Sequence, residues 1–198
     1  ELIYLLMKIN IIPASRDDAS FLAKAVLTAI GDEHVLQMAG SADRIPLIKE
    51  LFTSLASMEN SQYSYRNALI AVNDDGKRIG AVIFYDGAML HQLRLAFIAE
   101  SSQLLGWTLS QDDFADETSP DEVYLDSLMV LPEYRGQGVG SILISEVYKR
   151  AVDAGKPVGL LVDYENTSAR KLYISLGFRN AGNRFFAGKE MEHLLKTS

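Results

Sequence analysis

Apolar and polar positions alternate with two different periods along this chain, and the changes between them mark out its elements. Lys8-Ile-Asn-Ile-Ile-Pro13 alternates as a short strand that proline stops. From Asp17 and Asp18, acids suited to a first helical turn, Phe21, Leu22, Ala25, Val26, Ala29 and Ile30 follow at helical spacing up to Gly31. A second helix is predicted over about 43–58, with Pro46 in its first turn. Residues 68–72 and 79–85 are two strands, and Asn73-Asp-Asp-Gly76 between them is a hairpin turn. Residues 88–105 are helical and close at Gly106; the acidic stretch 111–120 is an exposed loop. Next come strand 123–130, helix 138–155, strand 158–163, a helix over about 166–176 and a tail of one or two strands. Strands and helices in this order predict a mixed α/β fold in one domain spanning 1–198.

Several function classes fall away on composition. The 198 residues include no cysteine, which removes disulfides, thiolate metal sites and cysteine nucleophiles. No apolar run reaches the roughly 20 residues that span a bilayer. The apolar start, Glu1 to Met7, lacks a basic flank and a cleavage site, and reads as an extension ahead of an internal start at Met7. The expectation is a cytoplasmic protein with no membrane partner. The formal charge is −7, unevenly spread: residues 95–134 hold nine acids and no Lys or Arg, whereas 135–198 hold ten Lys or Arg against six acids. Net acidity argues against a nucleic-acid partner, since such binding rests on phosphate neutralisation.

The densest chemistry lies between strand 123–130 and the helix after it, in Arg135-Gly-Gln-Gly-Val-Gly140. Its glycines permit close ligand approach, and unpaired amides at a helix start, with the helix dipole, favour a phosphate. It is neither a P-loop, for which Gly-Lys-Ser/Thr is missing, nor a dinucleotide fingerprint, for which position 141 would be glycine rather than Ser141.

Arg135-x-x-Gly138-x-Gly140, after Leu128-x-Val130-x-Pro132, resembles the acyl-CoA motif of the Gcn5-related N-acetyltransferases. Asn166, Ala169, Leu172, Tyr173, Gly177 and Phe178 are similar to that family's later segment, at the expected distance. The resemblance implies the family's three-layer fold, a mixed, mostly antiparallel sheet of six to seven strands flanked by helices, with 87–120 as a helix-plus-loop insertion. It implies acetyl-CoA as cosubstrate and no metal, with the pyrophosphate on the backbone of Arg135, Gly136, Gln137, Gly138, Val139, Gly140 and Ser141. It also implies pantetheine along the strand edge near Met129 and Val130, a hydrogen bond from Asn166, and Tyr173 as the acid protonating the departing thiolate.

Asn166 and Tyr173, seven apart, share a helix face and lie roughly 10 Å apart along its axis, a reach suited to pantetheine. Leu172 and Phe178 read as core. A base must deprotonate the acceptor ammonium. Asp126 is the leading candidate, an aspartate in an apolar strand. Strict alternation places it with Tyr124, Leu128 and Val130, opposite Ser127 and Met129. His91 is a weaker candidate. Arg135, Arg170 and Lys171 are candidate phosphate contacts, and the acidic 95–134 stretch is placed to attract a cationic amine. The expected function is acetyl transfer to a primary amine, on a small molecule or peptide. Protein N-terminal or lysine acetylation, and non-catalytic acyl-CoA binding, are the alternatives. A homodimer is compatible with the sequence.

Overall fold

In a computed structural model, which describes residues 8–197, seven strands form one sheet in the order β1-β2-β3-β4-β5-β7-β6. The strands are β1 (Asn10–Pro13), β2 (Ala68–Val72), β3 (Arg78–Asp86), β4 (Val123–Val130), β5 (Val158–Val162), β6 (Arg179–Phe186) and β7 (Lys189–Lys196). Six helices connect them: α1 (Ala19–Ile30), α2 (Asp32–Ala39), α3 (Ile45–Ser57), α4 (Leu90–Leu105), α5 (Val139–Asp153) and α6 (Thr167–Ser175). All neighbouring strands are antiparallel except β4 and β5. The proposed extension at 1–7 lies outside the described residues.

The fold is the three-layer, mostly antiparallel architecture expected. Alternation along the strands gives the sheet two apolar faces, and each is covered by helices. Ile70, Ala81, Ile83 and Met129 pack against α1 and α3 through Leu22, Val26, Leu51 and Phe52. On the other face Leu69, Val82, Leu125 and Leu160 pack against α5 through Leu143, Ile144 and Val147. Both cores are almost fully buried.

One element, α2, differs from expectation, and the tail takes the two-stranded form of the one or two strands expected there. Gly31 was read as a stop, but at a φ of +86° it redirects the chain into α2, whose first turn holds Asp32 and Glu33. Only Val35 and Ala39 of α2 are buried, so its apolar stripe is too thin to register as a period. The tail forms a full hairpin, β6–β7, whose tip places Ala187 and Gly188 both at positive φ, as a two-residue hairpin turn requires.

One feature of the sheet creates the site. The parallel β4–β5 pairing spans only Val123 with Val158 and Tyr124 with Gly159. Beyond Tyr124 the two strands diverge and open a wedge between the halves of the sheet.

Candidate active site

The wedge is a cleft of about 1180 Å³, bounded by β4, β5, the starts of α5 and α6, the end of α1, His34 on α2 and the β6–β7 tip. It is larger than a drug-sized pocket of ~300–1,000 Å³. Asp126, Met129, Val130, Arg135, Gly136, Gly138, Val139, Gly140, Ser141, Asn166 and Tyr173 all line it. Of the predicted site residues Gln137 stands apart, its side-chain amide donating to the Glu133 carbonyl at 3.0 Å, and the further candidates His91, Arg170 and Lys171 do not line the cleft either.

The turn before α5 is built to present amides. Gly136 and Gly138 adopt φ of +73° and +83°, a left-handed backbone that a Cβ would strain. From Gly136 to Ser141 no amide donates a hydrogen bond to another described residue, and the last three begin α5. They form a cradle for an anion on the helix dipole. Arg135 departs from expectation: its amide already donates to the Pro132 carbonyl at 3.2 Å. Its guanidinium donates to the Val130 carbonyl at 3.1 Å, spanning the mouth of the turn. Arg170 is diverted as well, to the buried Glu192 at 2.5 and 3.1 Å.

The edge of β4 follows from its parity. Leu131 donates its amide to the Ile79 carbonyl, so alternate residues 129 and 127 also direct their backbone toward β3. The amides and carbonyls of Leu128 and Val130 therefore face the wedge. Met129 reaches the cleft by its side chain alone, which accepts from the Thr28 hydroxyl at 3.6 Å.

Strict alternation fails at Asp126. Leu125 pairs with Phe84 and Ser127 with Ile83, so Asp126 has no partner on β3 and forms a β-bulge. The bulge reverses the parity. Val123 and Leu125 share the α5 face with Leu128 and Val130, while Tyr124 and Met129 occupy the other. The grouping of Asp126 with Leu128 and Val130 is corrected accordingly: the bulge turns Asp126 into the cleft beside Tyr124 and Ser127. The Ser127 hydroxyl donates to it at 2.7 Å. Burial raises the Asp126 carboxyl to about 7; the Ser127 hydrogen bond opposes the shift and the nearby Glu117 charge adds to it.

Tyr173, on α6, is 8% exposed and packs edge-on against Phe178. Burial lifts its hydroxyl to about 12, so it stays protonated across the working pH range. Asn166 caps α6, its side-chain oxygen accepting from the Ala169 amide at 3.1 Å, and it also lines the cleft. Leu172 and Phe178 pack in the α5-side core, although Leu172 also reaches the cleft wall.

The acidic stretch is mostly committed to structure. Glu117, 3% exposed, pairs with Arg94 at 2.7 Å and accepts from Gln62 at 2.7 Å and Tyr85 at 3.0 Å. Asp116 pairs with Arg94 at 3.2 Å and with His91 at 2.9 Å, which places His91 outside the cleft. Asp113 caps the turn at Ser110, and Glu122 lies 3.0 Å from His193. Sequence reasoning missed Tyr63, Tyr124, His34, Leu161, Phe186 and Met191, which also line the cleft. Single aromatic and aliphatic residues on separate elements carry no spacing signal, so only the sheet register, with the packing of α2 and the segment after α3 beside it, unites them.

Residues 46–178 match the acetyltransferase (GNAT) family, and the chain belongs to it. It is 44% identical over 59 residues to thialysine N-epsilon-acetyltransferase of Sus scrofa, covering 29% of this chain and 35% of that protein. It is 30% identical over 87 residues to the [ribosomal protein bS18]-alanine N-acetyltransferase of Haemophilus influenzae, covering 44% of this chain and 56% of that one. The chain thus aligns with about a third to a little over half the length of these relatives. Over the whole fold it superposes on an acetyltransferase crystal structure with a TM-score of 0.70 at 28% identity, covering 94% of this chain and 98% of the other. An N-acetyltransferase from Staphylococcus aureus Mu50 gives 0.73 at 20% identity, covering 94% and 99%.

Proposed function

We propose that this protein transfers the acetyl group of acetyl-CoA to a primary amine by direct attack in a ternary complex. The observation that carries this reading is the convergence of three groups on one cleft: the free amides of Gly136–Ser141, the carboxyl of Asp126 and the hydroxyl of Tyr173. The cradle fits the pyrophosphate of acetyl-CoA, and the β4 edge that faces the wedge at Leu128 and Val130, where Arg135 already holds the Val130 carbonyl, leaves backbone groups for its pantetheine amides. Bound there, acetyl-CoA supplies the activated acyl carbon.

The residues divide the proton work. Asp126, directly or through a water, takes the proton from the acceptor ammonium, and the neutral amine forms the new C–N bond. As the C–S bond breaks, the Tyr173 hydroxyl donates a hydrogen bond to the departing sulfur. A free thiol has a pKa of about 8.5, so complete transfer from a phenol near 12 is uphill. Tyr173 therefore stabilises the thiolate mainly as a donor, and the proton balance closes when the sulfur takes up the proton lost by nitrogen.

Thiol release from acetyl-CoA, followed over a panel of amines and peptides, tests the assignment. Tyr173→Phe is expected to lower kcat about 10²- to 10³-fold while leaving acetyl-CoA affinity within a fewfold. An unchanged kcat would remove Tyr173 from the chemistry. Absence of acceptor-dependent release with every amine, despite acetyl-CoA binding, would overturn the transferase reading.

A further inference from the structure

The acceptor end of the cleft has a chemistry of its own, set by the sheet register. Leu161 on β5 pairs with His193 on β7, and Arg184 on β6 pairs with Met191 on β7. Paired residues project from the same face, as do residues two apart. Leu161, Met191 and Phe186 therefore stand on one face of the sheet, the face on which Leu161 packs against the cluster of Tyr85, Leu90, Leu93 and Tyr124. Leu161, Met191, Phe186 and Tyr124 line the cleft with Asp126, and Tyr63 closes it from the side of α3, held edge-on against Phe52 at a ring separation of 5.0 Å.

Charge on this wall is sparse. Three carboxylates line the whole cleft: Asp126, Asp163 and Glu165. Lys189 neutralises Asp163 through an ion pair, and Glu165 is exposed at the outer rim. Of the nine acids in 95–134 only Asp126 lines the cleft; Glu117 and Asp116 are tied to Arg94, Glu122 to His193 and Asp113 to its cap. The inner wall thus offers one carboxyl group set among aromatic and aliphatic side chains.

Resting on the transferase reading above, we infer that the acceptor is a primary amine with a single positive charge carried on an apolar or aromatic body, and that the site discriminates against polyamines. The ammonium meets Asp126 and the faces of Tyr63 and Tyr124, while the body covers Leu161, Phe186 and Met191. Aromatic rings add attraction for one cation. A second or third ammonium has no carboxylate to meet on this wall, and burying an unpaired charge is costly.

The test compares 2-phenylethylamine with spermidine and putrescine as acceptors at saturating acetyl-CoA, pH 8 and moderate salt. The expected kcat/KM for 2-phenylethylamine is at least tenfold above that for spermidine. Met191→Glu, which adds a second carboxylate, is expected to move that ratio at least fivefold toward spermidine. Phe186→Ala, on the hairpin near its tip, is expected to lower 2-phenylethylamine turnover with little change for spermidine. Equal or better use of spermidine by the unaltered protein would overturn the inference while upholding acetyl transfer. Calorimetry with CoA present separates the two readings further. Tighter binding of 2-phenylethylamine than spermidine without turnover would retain the subsite and remove the transfer reading. Binding of spermidine as tight or tighter, or binding of neither amine, would overturn the inference.

Discussion

Burial shifts Asp126 and Tyr173 the same way, upward, and that one direction suits the opposite duties proposed for them. A carboxyl near 7 is divided between its two forms at neutral pH, whereas an ordinary aspartate would be too weak a base to hold an ammonium proton. The predicted kcat/KM for the acceptor therefore falls tenfold per pH unit below about 7 and levels above it, and Asp126→Asn removes that limb along with most activity. Stability carries a second signature. Asp126 is raised in the folded protein, from an ordinary 3.8, so the native state holds this proton more tightly than the unfolded chain. The stability it contributes as a neutral group is lost as pH rises from about 4 to 7. Asp126→Asn should accordingly leave Tm unchanged near pH 4 and raise stability by about 1–3 kcal/mol at pH 8, allowing for the residue's partial access to solvent. A fall in Tm at pH 8 would show that Asp126 is held by partners that favour its charge.

At the scale of elements, the turn into α5 and the bulge in β4 do most to make the site, and they differ in how legible they are. The turn could be read because left-handed backbone and close approach demand glycine, and glycine spacing is visible in a sequence. Gly138→Ala puts a Cβ at a φ of +83°, at a cost of about 1–2 kcal/mol, and disturbs the amides on either side. It should weaken acetyl-CoA binding at least tenfold by calorimetry. Gly155→Ala, at a φ of +69° just past the end of α5, carries the same strain without the binding loss, and so separates the two effects. The bulge could not be read. Val123–Val130 looks like an uninterrupted alternating strand, and the extra residue shows itself only in the pairing with β3. Asp126 was found because an acid within an apolar strand is conspicuous, not because its direction was known. The acceptor wall was illegible for a related reason: Tyr63, Tyr124, Leu161, Phe186 and Met191 lie on separate elements, each with the residue type that a core position also favours. Helix α2 escaped because two buried side chains in eight residues leave no clear period.

At the scale of the molecule, a sheet that opens to hold substrates has to be prevented from opening further. Only two residue pairs join β4 to β5, so the halves β1–β4 and β5–β7 need other ties. Helix α5 supplies one, packing with β2 and β3 on one side and β5 on the other. The buried Glu122 supplies another, at the closed end of the wedge. Its carboxylate lies 3.0 Å from His193 of β7 and accepts from Thr118 at 2.7 Å and from the Ser119 amide at 3.0 Å. It thereby links the chain entering β4 to the far half of the sheet. Burial alone would raise this carboxyl, but the His193, Thr118 and Ser119 contacts outweigh it and hold the group below its ordinary value. Gly159 of β5 is what lets Glu122 sit there, since a Cβ at 159 would come within 2.2 Å of the carboxylate. Because Glu122 is fixed by three partners, it has no easy retreat, and Gly159→Ala should cost about 1–3 kcal/mol as overpacking. The loss should fall on the join between the halves. Hydrogen exchange is then expected to speed up in β5 and β7 more than in β2 and β3, and acetyl-CoA, which bridges both halves if it binds as proposed, is expected to recover part of the lost Tm. Uniform acceleration across the sheet, with no rescue by acetyl-CoA, would mean that the wedge is held shut by α5 alone.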